Sequence, residues 1–521
     1  MRNRIYLFAS FLLFAAWGKA QTPNFSEDVA PLVYDHCYSC HRPGGPGPMP
    51  LTNYQEVYDF RTLVKAYVMS GAMPPWPPDP NYQHLAGENY LTDAEKNIIG
   101  DWVDGGAPRG DSTLEPPRPY YSDATFLGPP DLAIRMPVYA SQAGSSDDYL
   151  CIALDPGLTT SKRIRAIEMI PGNKEILHHV LVYADSSGSY TVNQPVNGCT
   201  GPPNGRLLGG YVPGERPIQF PNSPDVKMGI TLYPNEKIIF AMHYPAGSLG
   251  KLDSTQINLH FYDDNVTGVR EISAGSLLED WGLFFLPNEV KTYDDSYGPI
   301  GSDYSVLSLF PHCHLLGKSW KVWGQTQSGD TIRMINIPHW DFDWQGFHFF
   351  DYIKKMPAGS KLYGECTYDN TAANPHNPNN PPSIVTAGLN TSDEMFLVYF
   401  HYLPYEPGDE LINMDSLLSF PVSIPHPVSQ SKIARITPFP NPSQGDLTLD
   451  YYLPKGGEIA LEIRDMQGRL VRKIWNGKLA AGQYHTIWDG QTANGVQASR
   501  GLYFATLVMG DERVSTKFVM E

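Results

Sequence analysis

The five residues that begin at Cys37 read Cys-Tyr-Ser-Cys-His, and their types and spacing could hold an iron porphyrin. Two thiols at this spacing can reach the two vinyl groups of one haem, while the histidine that follows ligates the iron. Cys37 and Cys40 are therefore predicted to carry haem c, with His41 as an axial ligand. Two alternatives stay open, a Cys37–Cys40 disulfide beside an incidental histidine and half of a zinc site.

The sixth iron ligand is predicted to be a methionine on a proline-fixed loop. Met73 lies in the sequence Gly-Ala-Met-Pro-Pro-Trp that starts at Gly71, where the prolines could hold a thioether in place. Met49 and Met69 are rival ligands and are more simply packing residues. Together with a later helix that includes Trp102, this segment resembles a small class I-like cytochrome c domain. The resemblance implies that Met73 is the axial ligand.

Three histidine-bearing strings further along the chain could bind a transition metal. They are His178-His179, His243 and His312-x-His314. An isolated histidine in a β-sandwich is more often a hydrogen-bonded residue than a ligand. His312 and His314 are stronger candidates, because alternate strand residues share a face and two imidazoles there can chelate one ion. His178 and His179 can share a metal only where the strand bulges or ends.

The order of these strings, closed by Met395, resembles the copper type II, ascorbate-dependent monooxygenases, a family that includes peptidylglycine α-hydroxylating monooxygenase and dopamine β-monooxygenase. The resemblance covers roughly residues 128–428. It implies an electron-transfer copper and an oxygen-activating copper in separate domains. The implied ligands are His178, His179 and His243 for the first ion and His312, His314 and Met395 for the second. His401, on the same predicted strand as Met395, is the rival ligand.

The reaction implied by this resemblance is hydroxylation of an unactivated C–H bond, with dioxygen as co-substrate. Imidazoles accept both oxidation states of copper, and copper heads the divalent affinity order. A thioether such as Met395 favours Cu(I), the state that binds dioxygen. Two electrons are consumed and each copper stores one, so a redox donor is required. Tyr399 is retained from the family pattern and joins His312, His314 and Met395 in the predicted catalytic set.

Two positions depart from the family pattern in a way that bears on the substrate. Peptide-amidating members have an arginine two residues before the His-x-His string and an asparagine two residues after the methionine, and these bind the substrate carboxylate. Phe310 and Leu397 occupy those positions here. Phenylalanine cannot replace the bidentate, charge-assisted bonds of a guanidinium. We therefore expect a small, more apolar organic substrate rather than a peptide C-terminus.

The resemblance also bears on the cysteines, since it implies a disulfide between Cys151 and Cys199. Cys366 matches a half-cystine whose family partner follows the methionine ligand, but that position is Phe396 here. Cys313 is a substitute partner for Cys366, and both a bridge and two free thiols stay open. A free Cys313 near copper would be exposed to oxidation.

Composition and charge exclude some classes of partner and indicate export. The 521 residues include 38 Lys and Arg and 55 Asp and Glu, a net charge of −17, so the basic face that nucleic acid requires is missing. Residues 1–20 carry three cations around the apolar run Ile5–Trp17 and are predicted to be a cleaved signal peptide. No later segment approaches the ~20 apolar residues of a membrane-spanning helix. The mature protein is expected to pass the periplasm and reach the cell surface or the medium.

The remaining pattern divides the chain into four expected domains. Helical signals, including a capping box at Thr92, end near residue 110, and short β-branched and aromatic runs with turns follow. We expect a small all-α cytochrome c-like haem domain, two tandem antiparallel β-sandwiches of the jelly-roll type and a C-terminal Ig-like β-sandwich. Their expected ranges are 24–110, 126–275, 276–428 and 433–521.

The last expected domain carries features of a secretion address. Pro440-Asn441-Pro442, the turn at Asp465-Met466-Gln467-Gly468, the Trp488-Asp489-Gly490 element and a final strand at Thr516 resemble the C-terminal sorting domain of type IX secretion substrates. The resemblance implies recognition by the type IX secretion machinery and, often, removal of the domain. The alternative is an ordinary adhesive Ig-like module.

Three functions from different classes follow from these features. The preferred hypothesis is an exported copper-dependent monooxygenase that receives electrons from its own haem c or from an external, ascorbate-like reductant. The second is a haem and copper electron-transfer or metal-binding surface protein without oxygenase activity. The third is an adhesin that reuses β-sandwiches. Oxygen uptake coupled to a hydroxylated product separates the first from the second, and copper content separates both from the third.

Overall fold

The computed structural model describes residues 22–418, except 44, 46, 120–124 and 214–215, and residues 434–520, except 440–442, 444–446, 454, 480–481 and 511. The predicted signal peptide and the Pro440-Asn441-Pro442 motif lie outside the described residues. The chain divides into two compact units, Met1–Ser419 and Phe420–Glu521. None of the helices in the described ranges has both the length and the apolar character needed to span a membrane.

Short helices dominate the start of the first unit. They are a π-helix at Phe25–Val29, α1 (Ala30–His36), α2 (Tyr54–Ser70) and α3 (Asp93–Asp104). Asn53 caps the start of α2, and Gly71, with a positive φ of 79°, ends it. The predicted capping box starts α3, where Thr92 and Glu95 bond each other's backbone amides. Near the end of the unit lie a 3-10 helix (Asp409–Leu411) and α4 (Met414–Leu418).

The expected all-α haem domain is wrong. Of the described residues, 42% lie in strands and 11% in helices, and no distinct all-α domain forms among them. The helices bury a small apolar cluster of their own. However, Leu85 forms a β-bridge with Phe350, and the amide of Asp79 donates to the carbonyl of Asn336 at 2.8 Å. Helical periodicity is a local property, so it could not show that the chain between α2 and α3 packs onto a distant sheet.

Strands β1 to β13 form the first sandwich. They are β1 (Leu132–Arg135), β2 (Tyr139–Ala140), β3 (Asp148–Leu154), β4 (Lys162–Ile170), β5 (His179–Asp185), β6 (Pro195–Asn197), β7 (Arg206–Tyr211), β8 (Ile218–Gln219), β9 (Met228–Leu232), β10 (Lys237–Tyr244), β11 (Leu252–Asp253), β12 (Gln256–Phe261) and β13 (Arg270–Glu271). One sheet has the order β1–β12–β4–β9–β13, with β8 beside β4, and the other has the order β6–β3–β10–β5–β7. The strands β2 and β11 pair separately.

Strands β14 to β23 form the second sandwich. They are β14 (Ser273–Glu279), β15 (Phe284–Phe285), β16 (Glu289–Tyr297), β17 (Tyr304–His312), β18 (Gly317–Gln325), β19 (Thr331–Ile337), β20 (His348–Met356), β21 (Lys361–Asn370), β22 (Val385–Thr386) and β23 (Leu397–Pro404). Its sheets have the orders β14–β23–β17–β20 and β16–β21–β18–β19, and β15 pairs with β22. Trp320, Phe396 and Phe400 fill the core between the two sheets.

The two sandwiches share one apolar cluster, and this contact positions the candidate site. Leu307, Phe310 and Phe347 of the second sandwich belong to the same buried cluster as Val180 and Phe240 of the first. Burying apolar surface between the sandwiches favours their contact. As a result, the ends of β5 and β10, which carry three histidines, come close to the end of β17.

The second unit contains seven described strands in two sheets. They are β24 (Arg435–Phe439), β25 (Leu447–Leu453), β26 (Gly457–Asp465), β27 (Leu470–Leu479), β28 (Gly482–Trp488), β29 (Gly501–Met509) and β30 (Glu512–Met520). The sheet orders are β24–β25–β28 and β27–β26–β29–β30. Trp488, Tyr503 and Phe518 pack together in the core of this unit.

Candidate metal centre

His178, His179 and His243 lie at the ends of two paired strands of the first sandwich. β5 begins at His179, which pairs with His243 of β10. The amide of His178 donates to the carbonyl of His243 at 3.1 Å. Because His178 precedes the regular strand, its side chain is not forced to the face opposite His179. The strand therefore starts at the position where two adjacent histidines can reach one site.

The Nδ1 atoms of these three imidazoles converge. Nδ1 of His179 lies 3.1 Å from Nδ1 of His178 and 3.4 Å from Nδ1 of His243. Three nitrogens bound at ~2.0 Å to one metal in a trigonal arrangement would stand about 3.5 Å apart, so the set fits a single ion. Burial and the neighbouring imidazoles hold the pKa of His179 well below its usual range. Its ring is therefore neutral and can act as a ligand.

Two carboxylates face the outward nitrogens of this set. Oδ2 of Asp147 lies 3.3 Å from Nε2 of His243, and Oδ1 of Asp343 lies 3.3 Å from Nε2 of His178. A carboxylate at Nε2 favours the tautomer with the proton there and leaves the Nδ1 lone pair for a metal. Burial tends to raise the pKa of Asp147, but its contacts with His243 and Thr391 outweigh burial and hold the pKa below its usual range.

His312 and His314 present the opposite nitrogen. Nδ1 of His312 donates to Oε1 of Gln345 at 2.6 Å, and Nδ1 of His314 donates to the carbonyl of Asp393 at 3.1 Å. Their Nε2 lone pairs are therefore the candidate ligand atoms. The ring centroids lie 5.2 Å apart. Burial lowers the pKa of His312 to about 4 and that of His314 to about 3, so both rings are neutral near pH 7.

Glu394 fixes the segment that carries Met395 against the two histidines. Its Oε2 accepts from the amides of His314 at 2.9 Å and Met395 at 3.2 Å, and its Oε1 accepts from the amide of Leu316 at 2.6 Å. Burial raises the pKa of Glu394 to about 8, although the three amides favour the charged form. Met395 is buried, with 9% of its surface exposed. The backbones of Met395 and His314 are thus held by the same carboxylate oxygen.

Tyr399 and His401 are alternate residues of β23, and they have different neighbours. Tyr399 stands opposite Phe310 in the pairing of β23 with β17, with the ring centroids 5.9 Å apart. His401 pairs with Ser308, and its Nδ1 lies 2.8 Å from the hydroxyl of that residue. The ring of Phe347 covers His401 at 4.5 Å. His401, the rival ligand, is therefore held in the core, away from the predicted ligands.

The two histidine sets are direct neighbours. The ring centroids of His179 and His312 lie 6.4 Å apart. Phe342 stacks on His178 at 4.9 Å and meets His314 nearly at a right angle at 5.9 Å. The five imidazoles and this phenylalanine therefore form one cluster between the sandwiches.

Sequence reasoning did not assign the residues that orient the histidines. Asp147, Asp343 and Gln345 carry no motif of their own, and Asp343 is 165 positions from His178. Glu394 directly precedes the predicted ligand Met395, but that position does not indicate which groups its carboxylate contacts.

Cys37, Cys40 and His41 lie together just after α1. His41 is buried, and its Nδ1 donates to the carbonyl of Met49 at 3.0 Å, which leaves Nε2 as a candidate ligand. Both cysteines are free thiols, and burial raises the pKa of Cys37 to about 12. Met73 lies half-buried on the loop after α2, where its amide donates to the carbonyl of Tyr67 at 3.2 Å. The structure thus places Cys37, Cys40 and His41 side by side, and the assignment of Met73 stays a prediction.

The remaining cysteines differ in state. The predicted disulfide between Cys151 and Cys199 is confirmed. Cys313 and Cys366 are free and buried, with their sulfur atoms 3.8 Å apart. The indole Nε1 of Trp320 donates to the sulfur of Cys313 at 3.1 Å. Cys313 therefore faces the core of the second sandwich.

Comparison with known proteins adds family information. Residues 300–414 match the copper type II ascorbate-dependent monooxygenase, C-terminal domain, and residues 441–511 match the FlgD Ig-like domain. The DBH-like monooxygenase protein 2 of Mus musculus is 22% identical over 275 residues, which are 49% of this chain and 41% of the relative. The DBH-like monooxygenase protein 1 of Mus musculus is 23% identical over 262 residues, 45% of this chain and 40% of the relative. The chain thus spans about two fifths of the length of these relatives.

Similarity to solved structures is weak. PorZ, a bacterial surface component of the type-IX secretion system of Porphyromonas gingivalis, is 16% identical, with 16% of this chain and 11% of that chain covered and a TM-score of 0.13. Dimeric latent PorU from Porphyromonas gingivalis is 10% identical, with 72% and 34% covered and a TM-score of 0.15. Such scores are too low to assign a fold. The family match over residues 300–414 and the monooxygenase relatives instead support the copper type II, ascorbate-dependent monooxygenase family for this chain.

Proposed function

We propose that this chain is a copper-dependent monooxygenase that hydroxylates a C–H bond of a small organic substrate with dioxygen. The proposal rests on the convergence of three Nδ1 atoms, from His178, His179 and His243. The ring of His312 is next to this set, with its centroid 6.4 Å from that of His179. The family match over residues 300–414 supports the reaction class.

The donor sets suit copper at both positions. One copper ion would be held by His178, His179 and His243. The other copper ion would be held by His312, His314 and Met395. Neutral imidazoles bind both oxidation states, and a thioether favours Cu(I). Bound copper would supply one-electron redox chemistry and the activation of dioxygen.

The chain's own contribution is to position the ligands and to exclude water. Gln345 and Asp393 hold the rings of His312 and His314 by their Nδ1 protons, so neither ring can turn without losing a hydrogen bond. Glu394 holds the backbone of Met395 beside them. Burial of these groups keeps water from the reacting atoms and strengthens each electrostatic contact. We assign Tyr399 to the same catalytic set because it pairs with Phe310 across β23 and β17, and the ring of Phe310 in turn contacts that of His312.

The surroundings of His312 favour an apolar, non-peptide substrate. The ring centroid of Phe310 lies 5.9 Å from that of His312, and Phe347 and Tyr399 pack against Phe310 at 5.2 and 5.9 Å. A substrate carboxylate would find no guanidinium at position 310. Aromatic rings instead favour contact with aromatic or aliphatic groups.

We propose in addition that Cys37 and Cys40 would hold a covalently attached haem, with His41 and Met73 as the residues that would bind its iron. The hydrogen bond from Nδ1 of His41 to the Met49 carbonyl supports the assignment, because it fixes the ring and leaves Nε2 for iron. Haem would supply a one-electron carrier. Haem attachment to the segment 37–41 requires no separate helical domain.

A haem at this position would be tethered to the second sandwich. Trp76, three residues after Met73, meets His348 nearly at a right angle at 5.8 Å. His348 pairs with Leu309 of β17, the strand that ends at His312. A tethered donor is present at a high effective concentration, about mM for a short flexible linker. An external, ascorbate-like reductant is the other source of electrons that we propose.

We also propose that the protein is exported through the periplasm to the cell surface or the medium, with the second unit as a type IX secretion sorting domain. The turn and strand elements described from the sequence support this role. The FlgD Ig-like match over residues 441–511 speaks for the Ig-like fold alone.

Oxygen consumption with product analysis tests the proposed reaction. The copper-loaded protein with ascorbate should insert one atom of labelled dioxygen into an apolar test substrate. Met395→Ala should abolish the product and leave the haem spectrum unchanged, whereas the exposed control Met466→Ala should behave as the wild type. Reducible copper without oxygen uptake across a panel of apolar substrates would favour the electron-transfer alternative instead.

A further inference from the structure

The loop between β19 and β20, residues 338–347, contacts histidines of both sandwiches and is called the bridging loop here. Gln345 of this loop bonds His312 of its own sandwich. Asp343 crosses to the first sandwich, where it lies 3.3 Å from Nε2 of His178. Phe342 stacks on the same His178 ring at 4.9 Å. One loop therefore touches members of both histidine sets.

The bridging loop is held in place by its own hydrogen bonds. The amide of Asp343 donates to Oδ1 of Asp341 at 3.0 Å, and Nε2 of Gln345 donates to the carbonyl of Phe342 at 2.7 Å. The amide of Trp340 donates to the carbonyl of Lys318 at 2.9 Å in β18. The position of Asp343 is thus set by the second sandwich, independently of His178.

A second contact crosses the boundary in the other direction. Asp147, just before β3 of the first sandwich, faces His243 and also accepts a hydrogen bond from the hydroxyl of Thr391. Thr391 belongs to the loop of the second sandwich that leads to Met395. The amide of Ala246 fixes the other oxygen of Asp147 at 3.0 Å. Both carboxylates that face the three-histidine set therefore span the two sandwiches.

We propose that Asp343 and Phe342 of the second sandwich are positioning residues for the three-histidine set of the first. Asp343 holds the proton on Nε2 of His178, and Phe342 fixes the plane of that ring, so Nδ1 stays turned toward His179. The set is then complete only when the two sandwiches are in contact. The inference rests on the proposed function, since it takes the set to bind copper.

Copper titration of the full chain against a competing chelator tests the inference, with Cu(II) electron paramagnetic resonance as a second readout. Losing the outer partner of a metal-bound histidine typically weakens affinity 10–100-fold. The side chain of Asp343 is 74% exposed, so we expect an effect at the lower end of this range. Asp343→Asn should weaken the affinity for one of the two copper ions about tenfold. Asp343→Glu should restore part of the affinity, and Phe342→Leu should change the spectrum of the same ion.

Asp294→Asn is the matched control, because Asp294 is exposed on β16 of the same sandwich and the substitution removes the same charge. It should leave both affinities unchanged. Equal affinities and spectra for the wild type and Asp343→Asn would overturn the inference and leave the proposed function intact. An equal loss in both variants would show a general charge effect and would also overturn it. A wild type that takes up no copper would overturn the inference and the proposed function together.

Discussion

Replacing Glu394 by alanine should destabilise the first unit and weaken the His312, His314 and Met395 set. The carboxylate is the acceptor for three buried amides, those of His314, Leu316 and Met395. Each buried donor left without an acceptor costs about 1–3 kcal/mol. Removing a buried carboxyl group, whose burial raises its pKa to about 8, returns part of that free energy. We therefore expect a net loss of about 2–5 kcal/mol.

Urea unfolding, resolved into the transitions of the two units, measures this loss, and copper titration of the same samples reports the second set. Glu365→Ala is the control, since Glu365 is exposed on β21 of the same sandwich and should change stability by less than about 0.5 kcal/mol. Glu394→Gln keeps one acceptor oxygen, so its loss of stability should lie between those of Glu394→Ala and Glu365→Ala. If Glu394→Ala is as stable as the control and binds copper fully, the shared carboxylate does not hold Met395 beside His314.

Three further predictions concern pH, the disulfide and the haem segment. Because burial raises the pKa of Glu394 to about 8, its contribution to stability is complete below its usual pKa and lost as the pH rises through 8, so the wild type should be less stable at pH 9 than at pH 6. Glu394→Gln should lack this part of the pH dependence. If the free energy of unfolding in urea changes equally between pH 6 and pH 9 in the wild type and Glu394→Gln, the prediction is wrong. Replacing Cys151 and Cys199 by serine opens a loop with a sequence separation of 48 and should lower the free energy of unfolding by about 4 kcal/mol in chemical denaturation. A decrease of less than about 1 kcal/mol would contradict this prediction. Replacing Cys37 and Cys40 by alanine should abolish covalent haem in a denaturing gel stained for peroxidase activity, and unchanged staining would refute the attachment.

Chemistry carried by short strings could be predicted from the sequence, whereas contacts between distant segments could not. The pair His178-His179 indicated a metal ligand set only if a strand ended there, and β5 does begin at His179. Alternation alone left Met395 and His401 as rivals, because strand periodicity does not fix register. The pairing of His401 with Ser308 places it in the core.

The outer contacts of the histidines depend on packing between sandwiches, for which no local pattern exists. Asp343 looks like any loop carboxylate in the sequence, and only the contact of the bridging loop with the first sandwich gives it a role. The same reason explains the error over the helical segment. Its helices follow from caps and spacing, but its attachment through Leu85 and Phe350 depends on two segments far apart in the chain.

Anomalous scattering at the copper edge from a copper-loaded crystal tests the central claim most directly. The account predicts two separate peaks, one among Nδ1 of His178, His179 and His243, and one within bonding distance of Nε2 of His312, Nε2 of His314 and the sulfur of Met395. A single peak, or peaks away from these atoms, would contradict it.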